Sequence, residues 1–474
     1  MTTLQIQNPA TGELIKSITI DSAASIASKA TNARAAQKQW AKVPLADRIA
    51  CIAKFKQGVL DQLPSLALIM TLETGKPIAM SRNELNGLIA RLDFFMAQAG
   101  SAIATEEVFN DGSMCEQIEH VALGVVANIS AWNYPWFVGC NVIIPALLTG
   151  NAVLYKPSEF ASFTGLEIVS LLHKSGIPQN LVASVIGGKE AGQTLLAQQL
   201  DGLFFTGSHA TGVAIAKALA PALVKVQLEL GGKDPTYVCE DVDIANAAAS
   251  LADGAMYNTG QSCCSVERIY VHESIYDQFV DAFVETVKAM KLGDPQADDT
   301  YLGAMTRPAQ IQVLEAQVAD AVSKGAVLHC GGKRATSGAS MQGAAKSSGT
   351  EEPSVGNWFE ASVLSNVNHS MELMRDESFG PIIGIQKVSS DEQAIALMND
   401  TRYGLTAGVY SSNQSRAKAI LSQVNAGSTY WNCCDRVSPR LPWSGFGDSG
   451  IGLTLSRYGI QTFTRPKAWH LKTL

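Results

Sequence analysis

The chain has 474 residues, of which 46% are hydrophobic and 17% charged, and its formal net charge is −7. Because single cores stop growing at about 250–300 residues, we expect two large domains of an ordinary α/β protein. The negative charge gives no electrostatic footprint for nucleic acid or an anionic membrane surface, so we expect neither partner. No apolar run reaches the ~18–20 residues that span a bilayer, and the N-terminus lacks a signal-peptide pattern.

Residues 1–20 predict a short hairpin, and residues 21–96 are mostly helical in pattern. From residue 121 to 230, apolar strand-like segments alternate with helix-like segments of about 10–15 residues, which predicts a doubly wound parallel sheet. The strand-like segments are 121–129, 152–155, 182–186, 202–205 and 225–230, and helices are predicted over 164–175, 190–199 and 211–219. In such a sheet ligands bind off the carboxyl ends of the strands, where Asn133, Lys156, Gly207 and Glu229 fall.

A second alternation occupies residues 234–438, with helices predicted over 244–256 and 276–290 and strands over 268–271 and 326–328. The segment 335–357 is rich in Ser, Gly and Ala, which predicts a surface loop with no functional signal. The tail, residues 463–471, ends in a strand-like piece.

Nine cysteines are scattered over the chain, without zinc-type pairs at fixed spacing. The adjacent pairs Cys263-Cys264 and Cys433-Cys434 suit neither tetrahedral zinc nor a routine structural disulfide. We therefore predict no metal site and a reduced, cytoplasmic protein.

The segment 257–264, YNTGQSCC, lies between a helix-like and a strand-like run, so it presents a thiol at an element end with free backbone N–H groups. Such donors lower a thiol's pKa and can hold an oxyanion. The competing interpretation is that both cysteines are small buried hydrophobes. Upstream, the segment 228–235, LELGGKDP, places one carboxylate, Glu229, inside an apolar run.

These two segments together resemble the signatures of the NAD(P)-dependent, non-acylating aldehyde dehydrogenases, with 263 − 229 = 34 residues between glutamate and cysteine. The resemblance runs from residues 8–13, NPATGE, to residues 465–467, RPK. It implies a doubly wound parallel-sheet NAD-binding domain (1–105 and 123–232), an α/β catalytic domain (233–438) and a small β oligomerisation arm (106–122 and 460–474). It also implies a homodimer or homotetramer.

The resemblance assigns the catalytic roles. Cys263 is the expected nucleophile, Glu229 the general base that lets water cleave the thioester, and Asn133 an oxyanion donor beside the Cys263 backbone N–H. Cys264 is the rival nucleophile; otherwise it is structural, or it pairs with Cys263 under oxidation. Because relatives that pass the acyl group to coenzyme A generally lack the glutamate, water is the expected acceptor.

The resemblance also implies a nicotinamide cofactor. The expected contacts are Trp132, Lys156, Glu159, Gly207, Ser208, Leu230, Glu377 and Phe379. A carboxylate at Glu159 accepts from both ribose hydroxyls and repels a 2′-phosphate, which favours NAD, with NADP as the alternative. His209 stands where threonine is more usual, and it has no assigned role.

The substrate is the least defined part of the prediction. Tyr134, Trp136, Phe137, Trp431 and Trp443 are candidates for an aromatic tunnel, or for plain core. Arg436 and Arg440 are candidates for binding an acidic semialdehyde, or are surface charges.

The expected function is oxidation of a small-molecule aldehyde to the carboxylic acid through a cysteine thiohemiacetal and a thioester. The alternatives within the class are a succinate-semialdehyde-type or an NADP-using enzyme. The alternatives outside it are a cysteine esterase and a non-catalytic scaffold with the same fold.

Overall fold

The computed structural model describes residues 2–335 and 356–473. It opens with the predicted antiparallel hairpin, β1 (Thr3–Gln7) and β2 (Leu14–Thr19). The helical region that follows consists of α1 (Ala23–Trp40), α2 (Leu45–Asp61), α3 (Leu63–Thr74) and α4 (Ile78–Ala102). The apolar sides of these helices contribute to one large core, which also covers the first of two main sheets.

The first main sheet has six strands, of which five are parallel. In chain order its elements are β5 (Val125–Ile129), α5 (Pro135–Leu148), β6 (Ala152–Lys156), α6 (Ser162–Lys174), β7 (Val182–Ser184), α7 (Lys189–Leu196), β8 (Gly202–Thr206), α8 (His209–Leu219) and β9 (Lys225–Glu229). The strand order β9-β8-β5-β6-β7 confirms the predicted doubly wound parallel sheet.

The prediction of one strand over 121–129 was wrong. The chain forms two strands there, β4 (Met114–Ala122) and β5, which belong to different sheets. Gly124 separates them with φ of +132°, a conformation that residues with a side chain rarely adopt. The backbone therefore turns away from the small sheet before it enters the large one.

The second main sheet has seven strands in the order β12-β13-β14-β11-β10-β16-β17. Only β12 runs antiparallel to its neighbour. In chain order the elements are β10 (Pro235–Val238), α9 (Ile244–Met256), β11 (Arg268–His272), α10 (Tyr276–Lys288), α11 (Pro308–Ser323), β12 (Val327–Cys330), β13 (Ser362–Ser365), β14 (Ile382–Val388), α12 (Asp391–Asn399), β15 (Tyr403–Gly404), β16 (Thr406–Tyr410), α13 (Gln414–Leu421) and β17 (Ser428–Trp431). Two apolar clusters cover its faces.

After β17 the chain returns to the first sheet. Strand β18 (Phe446–Gly447) pairs with β15, and β19 (Gly450–Ile451) adds an antiparallel edge to β9. Helix α14 (Ser456–Gln461) then packs Ile460 into the first core. The tail is β20 (Thr464–Lys472), which pairs along its whole length with β4, and β3 (Glu106–Asn110) completes this three-stranded sheet.

The assignment of residues to a cofactor domain, a catalytic domain and an arm stays a prediction. Of the predicted loop 335–357, residues 336–355 lie outside the described residues. Among the described helices, none is long and apolar enough to cross a membrane.

Candidate active site

The cysteine turn follows α9, whose N-terminus is capped by the Asp243 carboxylate. Past Met256 the backbone enters the left-handed region at Asn258 (φ 54°) and Thr259 (φ 57°). Tertiary hydrogen bonds stabilise this turn. The Gly303 N–H donates to Thr259 Oγ1 at 2.9 Å, and the Thr306 N–H donates to Gln261 Oε1 at 3.0 Å. An unfavourable backbone held in this way is typical of a functional turn.

A cavity of about 590 Å³ opens in front of the turn, and both Cys263 and Glu229 line it. Cys263 is partly exposed to this cavity, whereas Glu229 is 7% exposed. Three of the predicted aromatic residues, Tyr134, Phe137 and Trp443, also line it. The two groups that the sequence pairs for catalysis therefore line one cavity.

Asn133 lies in the loop after β5 and is tied to the cysteine turn. Its Nδ2 donates to the Gln261 carbonyl at 3.1 Å, and the Asn258 side-chain amide donates to the Asn133 carbonyl at 3.2 Å. These bonds join the end of a first-sheet strand to the turn that carries the thiol. The predicted oxyanion donor, Asn133, thus contacts the backbone at Gln261, which lies two residues before Cys263.

Glu229 ends strand β9 with its carboxylate buried. Its Oε1 accepts a hydrogen bond from Gln227 Nε2 at 3.1 Å and another from the Thr454 hydroxyl. Burial raises the pKa of this carboxyl, and the two hydrogen bonds act against the rise. Sequence reasoning missed Thr454, because it lies 225 residues from Glu229 and reaches it only through the β19–β9 pairing.

Cys264 lines the same cavity as Cys263 but is more deeply buried. Its thiol lies 2.9 Å from the Asp435 carboxylate, to which it donates, and it is 5% exposed. Hydrogen bonding with Cys263, together with burial and the Asp435 charge, holds the pKa of Cys264 well above the ordinary thiol value. Because the thiolate is the nucleophile, these contacts disfavour Cys264 in that role.

The opposite wall of the cavity comes from helix α4 and the start of α5. Glu84 forms a buried ion pair with Lys76, and it also accepts the backbone N–H groups of Trp136 at 2.9 Å and Phe137 at 3.2 Å. The same wall carries Arg91, which is 4% exposed. None of these charged residues stands in a recognisable motif, so the sequence did not single them out.

On the other side of the first sheet's edge lie the predicted cofactor contacts. Lys156 ends β6 and is 5% exposed; burial lowers the pKa of its amine, and Glu159 opposes that shift. Gly207 follows β8, where a Cβ would lie 2.5 Å from the Phe205 ring. Ser208 then caps helix α8 by accepting the Thr211 N–H at 3.4 Å.

Glu377 and Phe379 reach this region from the second sheet. Glu377 Oε1 accepts the Gly232 N–H at 3.1 Å, and burial raises its pKa to about 8. Phe379 packs edge-to-face on Trp132, with ring centroids 5.5 Å apart. A Cβ on Gly231 would collide with the Glu377 carboxylate. The glycine at this position of the segment 228–235 therefore lets the Glu377 carboxylate lie close to the backbone.

Glu267 positions this loop and was not predicted. Its carboxylate accepts the N–H groups of Ser378 (2.9 Å) and Phe379 (3.0 Å) and forms a 2.5 Å ion pair with Lys233. Lys233 belongs to the ELGGK motif, so one buried ion pair connects the glutamate signature with the Glu377 loop. Leu230, the remaining predicted contact, is buried against Gly212 of α8, where a Cβ would lie 2.6 Å away.

Three substrate candidates do not reach the cavity. Trp136 is fully buried in the core, and Trp431 donates its indole N–H to the Ser411 carbonyl at 2.9 Å. Arg440 is exposed outside the cavity, whereas Arg436 lines it. For Trp136 and Arg440 the structure supports the alternatives that the sequence left open, plain core and a surface charge. The sequence could not choose between them, because residue type alone does not show which way a side chain points.

Comparison with known proteins now decides the family. The sequence model described as "Aldehyde dehydrogenase family" matches residues 1–469. The chain belongs to the aldehyde dehydrogenase family.

Two curated relatives illustrate the match. A 3,6-anhydro-alpha-L-galactose dehydrogenase from Streptomyces coelicolor is 31% identical over 472 residues, covering 99% of this chain and 93% of that protein. A succinate-semialdehyde dehydrogenase [NADP(+)] from Deinococcus radiodurans is 30% identical over 462 residues, covering 97% and 93%.

The fold agrees as well. The crystal structure of an NAD-dependent aldehyde dehydrogenase from Sinorhizobium meliloti superimposes with a TM-score of 0.93 at 30% identity, covering 99% of this chain and 91% of that one. The predicted family, fold class and NAD(P)-dependent aldehyde dehydrogenase function are therefore confirmed, with the cofactor defined as NAD(P).

The residues at the sheet edge fit a dinucleotide. The turn at Gly207 keeps side chains away from the start of α8, and helix starts with free N–H groups suit a pyrophosphate. Lys156, the last residue of β6, carries an amine that can donate, and Glu159, three residues later, carries a carboxylate that can accept hydrogen bonds. The cavity in front of Cys263 is lined by Tyr134, Phe137 and Trp443, and neither Lys156 nor Gly207 is among its lining residues.

Proposed function

We propose that Cys263 is the nucleophile that adds to the aldehyde carbon. The observation that carries this is the single cavity lined by the Cys263 thiol and the buried Glu229 carboxylate, with Asn133 bonded to the cysteine turn. When the sulfur attacks, the carbonyl π electrons move to oxygen and form an oxyanion. The Asn133 amide and the Cys263 backbone N–H are the proposed donors to that oxygen.

When bound, the nicotinamide accepts the hydride that leaves the substrate carbon, and a thioester on Cys263 remains. We propose that Glu229 then takes a proton from a water molecule. The hydroxide adds to the thioester carbon, the C–S bond breaks, and the carboxylic acid leaves with the thiolate restored. Its raised pKa suits a base that works near neutral pH, and Thr454 fixes the carboxylate's position.

NAD is the preferred cofactor in this proposal. Glu159, at the end of β6, would accept from the ribose hydroxyls and repel a 2′-phosphate, while Lys156 donates beside it. Glu377 and Phe379, held by Glu267, would position the nicotinamide ribose and ring. Because the Deinococcus radiodurans relative is named for NADP, the preference needs a direct measurement.

The remaining assignments are proposals of the same kind. We infer a homodimer or homotetramer because β3 is exposed throughout, including Val108 and Phe109, on a sheet that β20 already extends. We infer a cytoplasmic, reducing location because all nine cysteines are unpaired.

The test is NADH formation at 340 nm with a panel of aliphatic, aromatic, amino and carboxylate-bearing aldehydes, each with NAD and NADP and with the thiol reduced. Turnover of any group with release of the free acid supports the proposal. Turnover that requires coenzyme A would contradict the role given to water and Glu229.

A further inference from the structure

Arg91 is a buried cation in the wall of the catalytic cavity. It lies in the middle of helix α4, is 4% exposed, and lines the same space as Cys263. Its guanidinium lies 3.7 Å from the centre of the Phe137 ring, and Nη1 donates to Asn141 Oδ1 at 2.9 Å. These two contacts fix the plane of the guanidinium but provide no negative charge.

Among residues 2–335 and 356–473, no carboxylate lies within ion-pair distance of this cation, and the charges of Glu84 and Glu229 act on it only from further away. In the same described part of the chain, its Nε and Nη2 have no protein acceptor, yet they are not sealed from solvent. Although burial lowers the pKa to about 10, the group stays charged at neutral pH. Burying an unpaired charge is costly. A buried arginine of this kind is therefore expected to pair with an anion supplied by a ligand.

The acidic groups of the cavity are already engaged. Glu84 is paired with Lys76, Asp253 accepts the Tyr301 hydroxyl, and Asp435 accepts the Cys264 thiol. Glu229 is bonded to Thr454 and has a raised pKa. Each of these carboxylates therefore already accepts a donor from the protein, whereas Arg91 keeps N–H groups that no protein acceptor uses.

We propose that Arg91 is the specificity-determining residue for an aldehyde that carries a carboxylate at its far end. The inference rests on the proposed function, because it places the aldehyde carbon at Cys263. The planar guanidinium presents parallel N–H donors, which match a carboxylate's two oxygens. Arg436, exposed in the cavity lining, contributes a second positive charge along the route of entry.

The first test compares aldehydes of similar length that differ in the charge at the far end, on the reduced wild-type enzyme with NAD. The carboxylate substrate is 4-oxobutanoate; the neutral one is its methyl ester; the cationic one is 4-(trimethylammonio)butanal. We expect kcat/KM for 4-oxobutanoate to exceed the other two by at least about tenfold. A preference for the neutral or cationic aldehyde would overturn the proposal.

The second test uses variants. Arg91→Met should lower kcat/KM for 4-oxobutanoate about 100-fold, mostly through KM, and lower that for the methyl ester only a few-fold. Arg91→Lys should restore part of the loss, because it keeps the charge without the planar fork. Arg82→Met is the matched control, since Arg82 lies on the same helix but is exposed outside the cavity. Equal losses on both substrates would mean that Arg91 is structural, and the proposal would fail.

Binding of succinate separates this inference from the proposed function. Succinate should protect Cys263 from alkylation by iodoacetamide in the wild type, and about tenfold or more succinate should be needed in Arg91→Met. If no aldehyde is oxidised but this difference appears, the catalytic proposal fails and the anion site stands. If protection is absent or identical in both proteins, the anion site is wrong whatever the activity.

Discussion

The carboxyl edge of the first sheet and the wall of the cavity beside it collect their side chains in different ways. Along the edge, Lys156 and Glu229 are the last residues of β6 and β9, and Gly207 directly follows β8. In the cavity wall, Arg91 on α4 faces the same space as Asp435 and Trp443, which lie about 350 residues further on.

This difference separates the groups proposed to carry out the reaction from those proposed to select the substrate. The edge positions its groups through parallel strand pairing, so short motifs suffice to mark them. The wall positions its groups through packing of helix α4 against α5 and the 434–443 segment, and no local pattern records that packing. Variants of the proposed catalytic and cofactor groups test this difference, in decreasing order of expected effect.

Replacing the nucleophile should have the largest effect. Cys263→Ala should lower aldehyde oxidation by about 10⁴-fold or more, because the proposed covalent intermediate forms on this thiol. Cofactor binding, measured by fluorescence titration with NAD, should persist. Cys264→Ala is the neighbouring control and should keep most of the activity, since its thiol is committed to Asp435. Loss in the control and retention in Cys263→Ala would exchange the two roles.

Removing the base should have the next largest effect. Glu229→Gln should lower steady-state turnover about 10²–10⁴-fold while leaving a burst of NADH, because acylation proceeds and hydrolysis stalls. The exposed Glu273→Gln serves as the control. Absence of the burst in this variant would mean that Glu229 acts in a step that precedes formation of the thioester.

The same residue predicts a pH dependence. Glu229 accepts a proton only when ionised, and its pKa is raised above the ordinary glutamate value of about 4.3. Deacylation in the wild type should therefore fall as pH drops through that raised pKa, and rise as pH increases through it. This acid limb should disappear from the pH profile of Glu229→Gln; its persistence there would assign it to another group.

Asn133→Ala should lower kcat by about 10²–10³-fold, since one donor to the oxyanion is lost. Asn133 also bonds to the Gln261 carbonyl, so part of any loss could come from a displaced turn. Measuring the alkylation rate of Cys263 separates the two effects. An unchanged alkylation rate with reduced kcat supports the oxyanion role, whereas a changed rate assigns the loss to the turn.

Glu159→Gln should have the smallest effect, a shift of about tenfold in the NADP-to-NAD ratio of kcat/KM towards NADP, because repulsion of a 2′-phosphate is removed. Glu285→Gln, exposed on α10, is the control. An unchanged ratio would show that Glu159 does not contact the ribose.

Much of the fold could be read from the sequence because its elements are locally encoded. Apolar runs bounded by glycine and polar residues marked β6, β8 and β9, and the helix over residues 244–256 has the predicted ends. The failure at residues 121–129 has the opposite cause. The apolar run continues from the last residues of β4 into β5, and the positive φ of Gly124 divides the two strands.

The sequence by itself determined the parallel sheet, the family and the identity of Cys263 and Glu229 as candidates, because motif residues and strand ends lie next to each other along the chain. Only the tertiary structure brought Thr454 to Glu229, Asp435 to Cys264 and Glu267 to the Phe379 loop. It alone placed Arg91 in the cavity. The physical reason is that hydrogen bonds and buried charges depend on distance in space, and residues hundreds of positions apart leave no shared pattern in the sequence.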